Sequence, residues 1–298
     1  MVVSMAALEE TNMRVAVLSG KGGTGKTLVS VNLTAVAGDA VYIDCDVEEP
    51  NGHLFFNPQI IGTEKIMIKV PTIEALRCTG CRVCVDFCKF NALAYINGRV
   101  VIFEEVCHSC GGCILFCAEN ALMEKKKIIG EIQYGISKKA TVITGILNTG
   151  EASGVPIIKK LLSYANEVNE KLVFLDCPPG SACIVMESVK DADYCILVAE
   201  PTQFGVHNLS MVYELVQLLK KPFGVILNKC LPEENPAEIF CRSKGIKILG
   251  EIPFDIQLGM MNSNARIVAK ESEQYHGLFV ELLQTVVAEV KHEASINS

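Results

Sequence analysis

The chain has 298 residues, half of them hydrophobic and a fifth charged, with a formal net charge of −7. This composition excludes a disordered chain, and the acidic balance excludes general electrostatic attraction to nucleic acid or to an anionic membrane. The first twelve residues, MVVSMAALEETN, carry Glu9 and Glu10 where a secretory leader needs a basic start and an apolar run, and no stretch supplies the ~18 uncharged apolar residues of a membrane span, so a cytoplasmic protein is expected.

Met13–Ser19 is a short apolar run ending in glycines and predicts a buried parallel strand. Lys26–Ala37 predicts a helix that stops near Gly38, and Ala40–Asp44 a second buried strand. The rhythm then breaks over residues 57–135, which hold all the closely spaced cysteines. It resumes with a strand at Ala140–Leu147, a helix at Val155–Asn169, and strands at Leu172–Asp176, Tyr194–Ala199, Phe223–Asn228 and Ile246–Ile252. Alternating strands and helices predict an α/β fold with a parallel sheet covered on both faces. A last helix, about His276–Lys291, carries an apolar stripe through Phe279, Leu282, Leu283, Val286 and Val290. Its polar face holds Glu281, Gln284 and Glu289 with little Lys or Arg, which predicts packing on the α/β core rather than on anionic lipid.

Fourteen cysteines in a chain without a leader point to reduced thiols and metal ligation, not disulfides. Eight of them form two runs, Cys78-x2-Cys81-x2-Cys84-x3-Cys88 and Cys107-x2-Cys110-x2-Cys113-x3-Cys117, and every matched pair is 29 residues apart. C-x2-C pairs also serve zinc, but zinc does not require a third cysteine after two more residues and a fourth after three, twice over. The segment resembles the bacterial two-cluster ferredoxins over about 50 residues, with Lys89 and Ala118 where those proteins carry a proline after the fourth cysteine. The resemblance implies two 4Fe–4S clusters with crossed ligation: Cys78, Cys81, Cys84 and Cys117 on one, Cys107, Cys110, Cys113 and Cys88 on the other. It also implies an inserted α+β ferredoxin-like domain at 57–135, with a core of about 72–124, interrupting a domain built from 1–56 and 136–298. Of the six cysteines outside the runs, Cys45, Cys195 and Cys230 are expected in the core.

Ser19-Gly-Lys21-Gly22-Gly23-Thr24-Gly25-Lys26-Thr27 fits G-x-x-x-x-G-K-[ST] between a strand and a helix. The glycines let backbone N–H groups approach phosphates at a helix N-terminus. Lys26 is expected on the β- and γ-phosphates and Thr27 on Mg²⁺. The form KGGTGKT resembles the deviant Walker A motif of the MinD/ParA/Mrp ATPases, a family that includes the nitrogenase iron protein. The resemblance implies a P-loop NTPase sheet and a homodimer with ATP at its interface, across which Lys21 reaches the partner's nucleotide. Asp46 of Asp44-Cys-Asp46 matches the aspartate that orients the attacking water, and Asp176 of Leu172–Gly180 the carboxylate that holds Mg²⁺ through water. Gly180 matches the γ-phosphate sensor, Asn228 the adenine-facing residue, and Pro253 lies in the loop expected to close over the adenine. Asp44 reads equally as part of this motif or as a strand-end residue fixing the loop.

The whole layout resembles MinD-type ATPases with an inserted ferredoxin domain. It implies an ATPase coupled to an iron–sulfur redox module that delivers electrons to a partner protein or supports that partner's metallocluster assembly. Two alternatives stand beside it: a redox-sensing positioning ATPase and an Mrp-like iron–sulfur cluster carrier.

Overall fold

A computed structural model of the chain describes residues 13–167 and 172–296. The leading segment read above and the end of the helix expected to reach Asn169 lie outside the described residues. In chain order the elements are β1 (Met13–Leu18), α1 (Lys26–Ala37), β2 (Ala40–Asp44), α2 (Gly52–Phe56), β3 (Gln59–Ile73), α3 (Val83–Phe87), β4 (Leu93–Ile96) and β5 (Arg99–Ile102). They continue with α4 (Gly112–Leu115), β6 (Leu122–Ser137), β7 (Ala140–Leu147), α5 (Val155–Glu167), β8 (Leu172–Asp176), α6 (Cys183–Val189), β9 (Tyr194–Ala199) and α7 (Gln203–Leu218). The last are β10 (Phe223–Cys230), α8 (Pro236–Lys244), β11 (Ile248–Pro253), α9 (Ile256–Ser263), α10 (Val268–Glu271) and α11 (Glu273–Ile296).

Nine strands form one sheet in the order β11-β10-β9-β1-β8-β2-β7-β6-β3. The pairings from β11 through β7 are parallel, as the alternation of strands and helices predicts. Successive strand residues point to opposite faces. Ala16, Leu18, Val173 and Leu175 pack one way, against α5, α6, α7 and α8, with Cys45, Cys177, Cys195 and Cys241 in the same core. Val15, Val17, Leu172 and Phe174 pack the other way, against α1 and α11. The stripe of α11 is buried there: Phe279, Leu282, Leu283, Val286 and Val290 are 5% exposed or less. Among the described residues no helix is long and apolar enough to cross a membrane. β11 starts at Ile248 rather than at Ile246, because the Ile246 N–H closes the end of α8 on Cys241 O (2.9 Å), beside Gly245 at φ +65°.

The edge of the sheet departs from the parallel pattern. β3 and β6 are the arms of one long antiparallel ribbon, from Gln59↔Ile136 to Ile73↔Leu122, and the root of β6 pairs antiparallel with β7 from Ser137↔Ala140 to Gly130↔Leu147. A returning arm must run against its mate, so the direction of these edge strands follows from the hairpin. At Gly130 an added Cβ would stand 2.1 Å from Ile146 O, so only glycine permits this close approach. Ile129 and Ile132 at the root are buried on α5, and Glu64 accepts from Tyr134 (3.1 Å) while bonding Tyr164 of α5. The outer half of the ribbon stands beyond the sheet and carries residues 74–121, which contain the β4–β5 hairpin, α3 and α4.

Replacing Phe279 by alanine removes the largest fully buried side chain of α11. It is expected to cost about 3–5 kcal/mol, read as a fall in the thermal unfolding midpoint. Glu281→Ala on the exposed face is expected to stay within about 0.5 kcal/mol.

Candidate functional site

Open parallel sheets form ligand crevices beyond the carboxyl ends of their strands. Here β1 ends at Leu18 before the loop 19–25, and β2 and β8 end on the register partners Asp44 and Asp176. The loop folds on itself, with Ser19 Oγ (2.8 Å) and Thr24 Oγ1 (3.2 Å) both donating to Lys21 O. Gly25 has φ +104°, and an added Cβ would stand 2.0 Å from the Asn228 amide nitrogen. No side chain fits there without displacing Asn228. A cavity of about 240 Å³ opens on this loop, lined by Gly22, Gly23, Gly25, Lys26, Thr27 and Asp46 among others.

Lys26 is the charge centre of the site. Its Nζ donates to Asp176 Oδ1 (2.7 Å) and lies 3.6 Å from Asp46 Oδ2. Burial works against this ammonium, but Asp176 and then Asp46 outweigh it and keep it charged well above the ordinary range of lysine. Tyr42 donates to the other Asp176 oxygen, Oδ2 (2.8 Å). Burial, then Asp176 and Asp44, push the Tyr42 phenol well above its ordinary range, so it remains a donor. Burial and the neighbouring Asp176 charge also push the Asp44 carboxyl up. Asp44 accepts from the N–H groups of Asp46 (3.2 Å), Asn51 (3.2 Å) and Gly52 (2.9 Å), so it fixes the loop after β2, the second of its two sequence readings.

The remaining expected residues surround this centre at different distances. The Gly180 N–H donates to Ser19 O (2.9 Å), which ties the loop after β8 to the phosphate loop. Asn228 Nδ2 donates to Thr24 O (2.7 Å) from a buried position behind the loop. Pro253 is exposed at the end of β11 and does not line the loop cavity. Lys21 pairs with Glu200 and lies 5.0 Å over the Phe204 ring. Glu200 also pairs with Lys229 (3.3 Å), whose Nζ donates to Gly23 O (2.8 Å). Burial opposes the Glu200 charge, but the two lysines hold its carboxyl below the usual range. Sequence reasoning passed over Tyr42, Glu200 and Asn262. A tyrosine inside the aliphatic run before Asp44 was an available signal. Asn262 carried none, yet it lines the cavity and, among the described residues, its buried Oδ1 has no hydrogen-bond partner.

The cysteine runs fold as a repeat in three dimensions. Gly80 and Ser109 (φ +72° and +55°), Arg82 and Gly111 (+66° and +72°), and Asn91 and Asn120 (+55° and +49°) take matching left-handed conformations. Ala92 N–H donates to Cys88 Sγ (3.4 Å) as Ala121 N–H does to Cys117 Sγ (3.3 Å). The asparagines and these N–H···S bonds hold the turn without the ferredoxin proline. Phe87 and Phe116 meet across the repeat with ring centroids 4.9 Å apart. Two cavities result. Cys78, Cys81, Cys84 and Cys117 line the smaller. Cys88, Cys107, Cys110 and Cys113 line the larger, of about 490 Å³. Each takes three cysteines from one run and the fourth from the other. Burial pushes the Cys84 and Cys107 thiols up, and Cys113 to about 11. Cys81 and Cys110 are exposed. Among the described residues no three His, Cys, Asp or Glu side chains gather around a single-ion point.

Two substitutions test the charge centre. Tyr42→Phe leaves an Asp176 oxygen without its donor and is expected to lower stability by about 1–3 kcal/mol in chemical denaturation. Lys26→Ala leaves buried carboxylates uncompensated, with an expected loss of ~3 kcal/mol or more and loss of nucleotide binding, read with a fluorescent ATP analogue.

Known proteins agree with this geometry. The sequence pattern of the CobQ/CobB/MinD/ParA nucleotide binding domain matches residues 15–267. An uncharacterized protein of Methanocaldococcus jannaschii is 31% identical over 226 residues, which cover 73% of this chain and 80% of that protein. The iron-sulfur cluster carrier protein of Methanococcus maripaludis is 24% identical over 310 residues, covering 96% of this chain and 88% of the relative. The cell division ATPase MinD of Pyrococcus furiosus has the same fold, with a TM-score of 0.59 at 17% identity over 93% of this chain and 99% of that one. With a phosphate loop at the carboxyl end of β1 and a family match over most of its length, the chain belongs to the CobQ/CobB/MinD/ParA nucleotide-binding family.

Proposed function

We propose that this protein is a dimeric ATPase whose nucleotide cycle is coupled to an iron–sulfur module, serving electron delivery to a partner protein or metallocluster assembly on it. One observation carries the reading: two four-cysteine cavities, each completed across the repeat, stand on a ribbon whose inner half is the edge of the central sheet and whose outer half leaves that sheet at the carboxyl ends of its strands, the end that carries the phosphate loop. The donor set fits two 4Fe–4S clusters, because each cavity offers four thiols and N–H groups already directed at sulfur. Cys78, Cys81, Cys84 and Cys117 would hold one cluster and Cys88, Cys107, Cys110 and Cys113 the other, each supplying one-electron chemistry.

At the nucleotide end, backbone N–H groups of Gly22, Gly23, Thr24 and Gly25 cradle the ATP phosphates. Lys26 exchanges Asp176 for phosphate oxygens as ATP binds. This exchange frees the Asp176 carboxylate, which with Thr27 would hold Mg²⁺, the ion that neutralises charge on the β- and γ-phosphates. Asp46 orients the attacking water, and Gly180 senses the γ-phosphate. Asn228 and Pro253 border the adenine. Lys21 leaves Glu200 and reaches the nucleotide of the partner copy. Asp44 holds the N–H groups that open α2, and only two residues separate the end of α2 from β3, so a shift at the phosphates reaches the ribbon.

A second reading, delivery of clusters to other proteins, is supported by the iron–sulfur carrier relative and by the exposed Cys81 and Cys110. ATP-dependent transfer of iron and sulfide to an apo-ferredoxin would favour it over electron delivery.

Two experiments test the main reading. Cys117→Ala is expected to halve the iron of the anaerobically reconstituted protein. Adding Cys81→Ala should cost no further iron, whereas adding Cys110→Ala should empty both sites. The opposite pattern would mean that each run ligates its own cluster. For coupling, reduced and oxidised protein are expected to hydrolyse ATP at different rates. Equal rates, with cluster potentials unmoved by nucleotide, would overturn it.

A further inference from the structure

The two cysteine cavities are related by the repeat, and Arg82 lines the smaller and Lys69 the larger, yet among the described residues only one has an ammonium bonded to the backbone carbonyl that receives its first cysteine's N–H. Lys127, on the outer half of β6, is 17% exposed at its side chain. Its Nζ donates to Glu104 O (3.1 Å), and the same carbonyl accepts from the Cys107 N–H (3.3 Å). One backbone carbonyl therefore separates the ammonium from a cysteine of the larger cavity. The matching carbonyl of the first repeat is Ala75 O, which accepts from the Cys78 N–H (3.3 Å). Among the described residues no side chain donates to Ala75 O, and the residue matching Lys127 is Gly98.

Lys127 has a second partner on the other side. Its Nζ lies 2.8 Å from Glu151 Oε2, and the Glu151 side chain is 11% exposed. Glu151 belongs to the loop after β7. That loop is tied to the nucleotide end through Leu147 N–H on Val47 O (2.8 Å), beside Asp46, and to the ribbon through Asn148 N–H on Ile129 O (2.8 Å). Other charges in this neighbourhood are paired at the more exposed rim: the Glu104 carboxylate with Lys125, and Lys69 with Glu124, both of which line the larger cavity. A half-buried charge is poorly screened by salt, and a cation beside a cluster favours the state with one more electron.

We propose that Lys127 sets the electron affinity of the site formed by Cys88, Cys107, Cys110 and Cys113, and that Glu151 partly masks its charge. The repeat thus holds two unequal electron sites, and the loop that adjusts one of them is bonded to the strand end of the nucleotide site. This rests on the iron–sulfur reading above.

The test is an anaerobic redox titration of the full holoprotein followed by electron paramagnetic resonance. The cluster that persists in Cys117→Ala identifies the second site. Lys127→Gln is expected to make that cluster harder to reduce, by on the order of tenfold in the reduced-to-oxidised ratio at fixed potential, while the other stays in place. Glu151→Gln should move it the opposite way, and Lys127→Arg should leave it near the wild-type value. If Lys127→Gln does not fold, the sign of the Glu151→Gln shift decides. No shift, equal shifts of both clusters, or a shift of the wrong sign overturns the proposal. Failure of the wild-type protein to hold clusters refutes the underlying reading, and this proposal with it.

Discussion

Charge compensation around Lys26 organises the nucleotide end of this molecule. Asp176 and Asp46 face one ammonium where β1, β2 and β8 end, with Tyr42 on the other oxygen of Asp176 and Asp44 close by, in a pocket largely closed to water. An isolated buried carboxylate would cost several kcal/mol. Each here has a partner: Asp176 takes Lys26 and Tyr42, Asp46 faces Lys26, and Asp44 takes three backbone N–H groups. The tyrosine matters because a neutral donor can satisfy a carboxylate oxygen without adding charge. Gly52 completes the arrangement, since an added Cβ would stand 2.0 Å from the Tyr42 hydroxyl.

From that pocket one continuous stretch of chain leads to the cysteines. Asp44 grips the start of α2, α2 passes into β3, and β3 with β6 forms the ribbon. Because the root of β6 is a strand of the central sheet, the cysteine segment is not on a free tether. Glu64 with the α5 tyrosine fixes the root, and Lys127 with Glu151 fixes the ribbon further out. A paired strand transmits displacement better than a flexible linker, which gives the proposed coupling a mechanical path in either direction.

The cysteine segment shows how a sequence repeat becomes a shared site. The matched left-handed residues turn each run back on itself, and the Phe87–Phe116 contact brings the two runs together. The fourth cysteine of each run then faces the cavity of the other. Symmetry of this kind makes departures from it informative. Lys127 stands where the first repeat has Gly98, and it lies at one cavity only.

Much of this was legible along the chain because it is local. The phosphate loop shows in the glycines around Lys21 and Lys26, the buried strands in short apolar runs, the last helix in its spaced apolar residues, and the paired cysteine runs in their 29-residue period. Those features depend on neighbours a few positions apart, and the backbone obeys them wherever it lies. The folded molecule alone decided which distant residues meet. It placed Tyr42 on Asp176, 134 residues away, and Lys127 on both Glu104 and Glu151. It also joined the ribbon to the sheet at β7. Hydrogen bonds and ion pairs of this kind leave no period or spacing in a sequence, since their partners are set by sheet order and strand register. For that reason the chemistry of the nucleotide loop was written in its residues, while its physical connection to the cysteines was written only in the fold.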